Sequence, residues 1–122
     1  MGVAAAVAVL RAHGSVSRIA LAACGRLVGL CAEVQNKQPA ADTGAIEAIV
    51  AAVQAHPQVA DVQQYGCWAV ASVCVGSDAA AMARRQRAVI AGATETVAGA
   101  MQAHPGDAAV QRQGQVLRDL LA

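Results

Sequence analysis

Apolar residues recur at helical spacing in separate stretches of the chain. Ile46, Ile49, Val50 and Val53 step by three, one and three residues, which sets them along one face of a helix. Thr43-Gly44 starts this helix and His56-Pro57 ends it. Proline cannot extend the hydrogen-bond ladder, and a histidine in the last turn meets the negative end of the helix dipole. The next stretch, Gln58 to Val75, divides cleanly at about 100° per residue. Val59, Val62, Gly66, Val70 and Val73 fall on one side; Asp61, Gln64, Tyr65, Trp68 and Ser72 fall on the other. A capping pair, Ser77-Asp78, opens a further short helix to about Ala91, and Asp107 or Gly106 opens another beyond His104. In "EVQNKQPAADT", Pro39 interrupts a polar segment, so the corresponding short helix is expected to be missing or reduced to a turn.

These stretches repeat. His13, His56 and His104 stand 43 and 48 residues apart, and around them "VAAAVAVLRAH", "IEAIVAAVQAH" and "TETVAGAMQAH" align. Ala6, Ile49 and Val97 correspond, as do Ile19, Val62 and Val110, and Ala23, Gly66 and Gly114. Cys24 matches Cys67 and Cys31 matches Cys74 at the same offset. Small, apolar and cysteine positions that persist together indicate a tandem helical repeat. The expected divisions are a partial copy over 1–32, a copy over 33–75 with a degenerate first helix, and a copy over 76–122. Strict register places Arg118 where the other copies have Leu27 and Val70. This implies either a one-residue contraction after Gly114, which restores Leu117, or a helix that no longer needs a fully apolar face.

Composition narrows the picture. The 122 residues are 57% hydrophobic, yet there is no Phe, one Trp and one Tyr, and about a quarter of the chain is Ala. Small side chains favour helix and close helix approach, but each buries little area. A net charge of +1 gives no footprint for nucleic acid or anionic membrane. No apolar run reaches the roughly 18 residues of a membrane span. The apolar start lacks a positive n-region, and Ala6 breaks the myristoylation pattern. The chain thus reads as a soluble intracellular protein, cytoplasmic with the nucleus as the alternative.

"GAIEAIVAAVQAH", "VADVQQYGCWAVASVC" and "DAAAMARRQRAVIAG" resemble the second, third and first helices of the armadillo repeat. The resemblance spans essentially the whole chain, with HEAT repeats the nearest relatives in pattern. It implies an all-α, right-handed solenoid whose third helices line a concave groove for extended peptides or partner proteins. The groove face would be Asp61, Gln64, Tyr65, Trp68 and Ser72, flanked by Arg18 and Leu21 on one side and by Arg112 and Gln113 on the other. Importin-type members repeat a Trp followed four residues later by Asn. Here Ser72 follows Trp68, and the other copies carry Gly25 with Gly29 and Val116 with Leu120, so import-signal recognition is not expected.

Four Cys and three His raise the question of a metal. Cysteines at i and i+7 lie about 10.5 Å apart along a helix, too far to share one zinc ion. Cysteines in neighbouring copies would sit about a helix spacing apart, beyond disulfide reach, which leaves them as small packing residues in a reducing compartment. Equivalent histidines should be spaced along one edge rather than brought together. The chain has no phosphate loop, nucleophile elbow, HExxH or paired carboxylates, so no catalytic residue, metal or cofactor is expected. Arg84, Arg85 and Arg87 form the one basic cluster, read as a solvated face or else a contact for an acidic partner. The leading expectation is a non-catalytic module that binds a protein or peptide partner through the face centred on Tyr65 and Trp68. The alternative is a structural, self-associating piece of a helical scaffold, since both ends present apolar residues for end-to-end stacking.

Overall fold

Residues 2–122 are described by a computed structural model. They form eight α-helices: α1 (Val3–His13), α2 (Ser17–Cys31), α3 (Lys37–Thr43), α4 (Ala45–Ala55), α5 (Ala60–Cys74), α6 (Ala79–Ile90), α7 (Ala93–Ala103) and α8 (Ala108–Leu121). No strand occurs among the described residues. Helix α5 is shorter than its apolar spacing predicts, by two residues at its start and one at its end. The aligned stretches fold alike, α1–α2, α4–α5 and α7–α8 each forming a packed pair. Helix α5 packs against both α2 and α8, and α4 touches both α1 and α7. The all-helical arrangement is compatible with an α-solenoid.

The face assigned as apolar turns inward. Val62, Gly66, Val70 and Val73 are buried, as are Ile46, Ile49, Val50 and Val53 opposite them. With no Phe to fill space, the helices close up instead. A Cβ at Gly66 would overlap Val53 Cγ2. Val53 is β-branched and stiff in its helix, so it cannot swing clear. Gly66→Ala is therefore expected to destabilise by about 1–2 kcal/mol, overpacking outweighing the gain in helix propensity. At Gly99, in α7, a Cβ meets nothing within 4 Å, and Gly99→Ala should stabilise by up to about 1 kcal/mol. Urea denaturation of the two variants tests this opposition of sign.

The short helix that was expected to be missing or reduced to a turn is present in shortened form. A 3₁₀ turn at Val34–Asn36 leads into the seven residues of α3. Pro39 is its third residue, where the backbone N–H has no partner within the helix, so its absence costs nothing. Thr43 Oγ1 donates to the Pro39 carbonyl at 2.7 Å. Helix α3 has 7 residues and α6 has 12, which accounts for the 43- and 48-residue spacings. Helix α8 runs unbroken, with Leu117 buried and Arg118 exposed. Positions three and four beyond Gly114 share a helix face, so Leu117 enters the core without a distorting contraction.

The C-terminal ends of α4 and α7 are closed by side chains from the following helix, and two N-termini by their own capping residues. Gln63 is 3% exposed, and its Nε2 donates to the carbonyls of Val53 and His56, at 2.9 and 2.8 Å. Gln111 does the same for Met101 and His104, at 2.9 and 3.0 Å. Each amide satisfies two carbonyls that a helix C-terminus leaves open. At N-termini, Asp78 accepts from Ala81 N, and Asp107 accepts from Ala109 N and Val110 N.

Candidate functional site

The strip left uncovered on α5 is the one read from the sequence. Asp61 is exposed, and Gln64, Tyr65 and Ser72 are half-buried. Trp68, the only tryptophan, is 36% exposed and lies outside the apolar core. The two aromatic rings sit side by side, centroids 5.6 Å apart and planes tilted by 34°. Their unequal burial has a local cause. The Tyr65 ring lies beside the bare backbone of Gly25 on α2, where a Cβ would come within 3.9 Å of it. Tyr65 thus packs against the core while Trp68 stands clear of it. Ser72 Oγ donates to the Trp68 carbonyl at 2.8 Å, which ties this hydroxyl to its own helix.

The flanking residues are less well joined. Arg18 on α2 and Arg112 on α8 are exposed, and Gln113 is half-buried. No hydrogen bond or ion pair among the described residues links these three side chains to the α5 strip. What is assembled is an amphipathic ridge, with aromatic surface for an apolar contact and Asp61 and Gln64 for polar ones.

The basic cluster is only in part a solvated face. Arg84 is 7% exposed and donates from Nε to the Val73 carbonyl at 2.6 Å and from Nη1 to Gln38 Oε1 at 2.9 Å. Arg85 Nη1 reaches the carbonyls of Cys74 and Gly76, at 3.1 and 2.8 Å. Arg87 pairs with Glu47 at 2.8 Å. Two of the three guanidinium groups therefore close the C-terminal end of α5, where cations meet the negative end of the dipole. In the preceding copy, Lys37 fills the equivalent role. It is 8% exposed, and its Nζ donates to the carbonyls of Cys31 and Ser72. Burial lowers its pKa from the ordinary lysine value, with the neighbouring Arg84 charge acting in the same direction against the nearby thiols. These roles escape a reading of the sequence because the carbonyls they serve are brought to them by the fold.

Two of the three histidines tie neighbouring segments together. His56 Nε2 is 2.7 Å from the Gly14 carbonyl, and His104 Nε2 is 2.8 Å from the Pro57 carbonyl. Among the described residues no group of three or more His, Cys, Asp or Glu is placed to hold a metal ion. All four thiols are free and buried. Burial pushes Cys24 and Cys67 up to about 12 and Cys74 to about 11, and raises Cys31 as well. No helix of the described residues is long and apolar enough to cross a membrane.

No family model matches the chain, and no curated protein or solved structure matches it either.

Proposed function

We propose that this chain is an armadillo-like, right-handed solenoid module that captures a protein or peptide partner without catalysis. Its contact surface is the α5 strip of Asp61, Gln64, Tyr65, Trp68 and Ser72, with Arg18, Arg112 and Gln113 at the margins. The observation that carries this reading is the placement of Trp68. A chain with no Phe and one Trp would ordinarily spend that residue on its core, yet Trp68 lies outside it and 36% exposed. Tryptophan and tyrosine are the residues most enriched at binding hot spots.

Trp68→Ala is expected to leave the circular dichroism spectrum and the urea midpoint nearly unchanged. It should weaken partner capture from cell extract by about 30-fold or more, the scale of a hot-spot truncation. Equal capture by the variant would remove the strip as the contact surface. Unfolding of the variant would place Trp68 in the core and overturn the assignment. Trp68 also supplies the readout on a purified partner, since a shift of its fluorescence on binding can come from no other tryptophan of this chain.

A further inference from the structure

Two buried cations, Lys37 and Arg84, wall a cleft of about 560 Å³ together with Val34, Val75, Ser77 and Asp78. One wall is the 3₁₀ turn and the start of α3, and the other is the turn from α5 into α6. Both walls lie well inside the chain, so the opening is not the end of a helical array. We propose that this cleft binds a small organic carboxylate, its charge held by Lys37 and Arg84 and its apolar body by Val34 and Val75.

The first support is unbalanced charge. Lys37 and Arg84 are 8% and 7% exposed, and neither has a carboxylate within ion-pair reach among the described residues. A buried charge is costly unless it is paired. What they face instead is the C-terminal ends of α2 and α5, each worth about half a negative charge. Two full charges against two halves leave about one positive charge over, and Arg85 adds a further cation at the end of α5. The nearby carboxylates are exposed and engaged elsewhere. Asp78 caps α6, Glu33 accepts from Gln35, and Asp42 accepts from Gln38. Burial lowers the pKa of Lys37, and the Arg84 charge adds to that, as expected of cations that lack a counter-ion.

The second support is spare donors. Each buried nitrogen has a partner, but an ammonium carries three N–H groups and a guanidinium five. Lys37 uses two, on the Cys31 and Ser72 carbonyls, and Arg84 uses three, on Val73, Gln38 and Val75. One N–H on Lys37 and two on Arg84 are left over. The third support is the lining. Val34 and Val75 are 77% and 46% exposed at the same cleft, which offers an apolar contact beside the cations. A volume of this order suits a small molecule. A single negative charge fits better than two, because Asp78 stands in the wall and repels a second. A planar carboxylate also matches the guanidinium fork.

NMR titration of the intact chain with hexanoate should shift the backbone amides of Val34, Gly76 and Ser77 saturably, with a Kd of about 1 mM. Hexanol keeps the tail without the charge, and hexylamine reverses the charge; both should bind at least about tenfold more weakly. Inorganic phosphate should also bind more weakly than hexanoate. Arg84→Ala endangers the fold, so the variants are placed at the exposed Val34 instead. Val34→Glu should weaken hexanoate about tenfold and Val34→Lys should tighten it a few fold, both with the rest of the amide spectrum unchanged. Trp68→Ala should bind hexanoate as the wild type does, which separates this cleft from the aromatic strip. The absence of a saturable shift at tens of millimolar hexanoate, or shifts confined to other residues, would overturn the proposal. So would equal binding of hexanol, tighter binding of phosphate, or an affinity indifferent to the charge at position 34.

Discussion

Arg84→Ala should lower the free energy of unfolding by about 3–5 kcal/mol, whereas Arg87→Ala should change it by less than about 1 kcal/mol. The two residues are three apart on one helix and look alike in the sequence. Arg84 is buried, and its guanidinium bridges the Val73 and Val75 carbonyls at the end of α5 to Gln38 on α3. Hydrogen bonds to a charged group contribute about 1.5–3 kcal/mol, and truncation leaves carbonyls without partners in a site that water enters poorly. Arg87 meets Glu47 with both side chains more than 40% exposed, at 42% and 44%. Solvent screens such a pair, and holding two long side chains together costs entropy. Urea denaturation at constant m-value measures both. Equal, small effects would mean that Arg84 is solvated and that the end of α5 is closed some other way.

Raising the pH from 7 to 10 should cost about 4 kcal/mol of stability through Cys24, Cys67 and Cys74 alone. Their folded pKa values stand at about 12, 12 and 11, against 9.0 for the unperturbed thiol, with burial as the main cause. A raised folded pKa means that the contribution is complete below pH 9 and is lost as pH climbs toward the folded value. At pH 10 the unfolded thiols are mostly ionised while the folded ones are not, a difference of about 1.4 kcal/mol for each. Lys37 works the other way. Its lowered pKa means that the unfolded chain holds the extra proton, so its contribution rises as pH approaches the ordinary lysine value of 10.5. The thiols outnumber it, and the net slope is downward. Unfolding curves at pH 7, 8.5 and 10 provide the test. Cys67→Ala should reduce the loss between pH 7 and 10 by about 1.4 kcal/mol, whatever its effect on packing at pH 7. A stability that stays flat to pH 10 would show that the thiols are not sheltered.

The helices and their inward faces were legible because both follow from short-range rules. Apolar spacing near 3.6 residues marks a helix whatever it packs against, and the split of α5 into a buried and an exposed side needed nothing more. The repeat added pairing, and with it the expectation that cysteines fill small apolar sites. Pro39 misleads because a proline in the first turn differs from one in the interior only by register, which composition does not reveal. The basic cluster misleads for a different reason. A run of arginines on a polar helix looks solvated until the end of another helix is brought against it.

The chain by itself therefore determined the all-helical class, the apolar seams and the strip carrying Tyr65 and Trp68, because each depends on residues within a few turns of one another, and the repeat spacing, because it is self-similarity of the sequence. Tertiary structure alone decided which polar residues are spent on closing helix ends. Gln63 serves α4, while Lys37 and Arg84 serve α2 and α5. Tertiary structure also decided that Tyr65 leans on Gly25 while Trp68 lies outside the core. A backbone carbonyl and a glycine surface have no side chain to announce them, so their demand for a partner becomes visible only when the helices that own them are packed together.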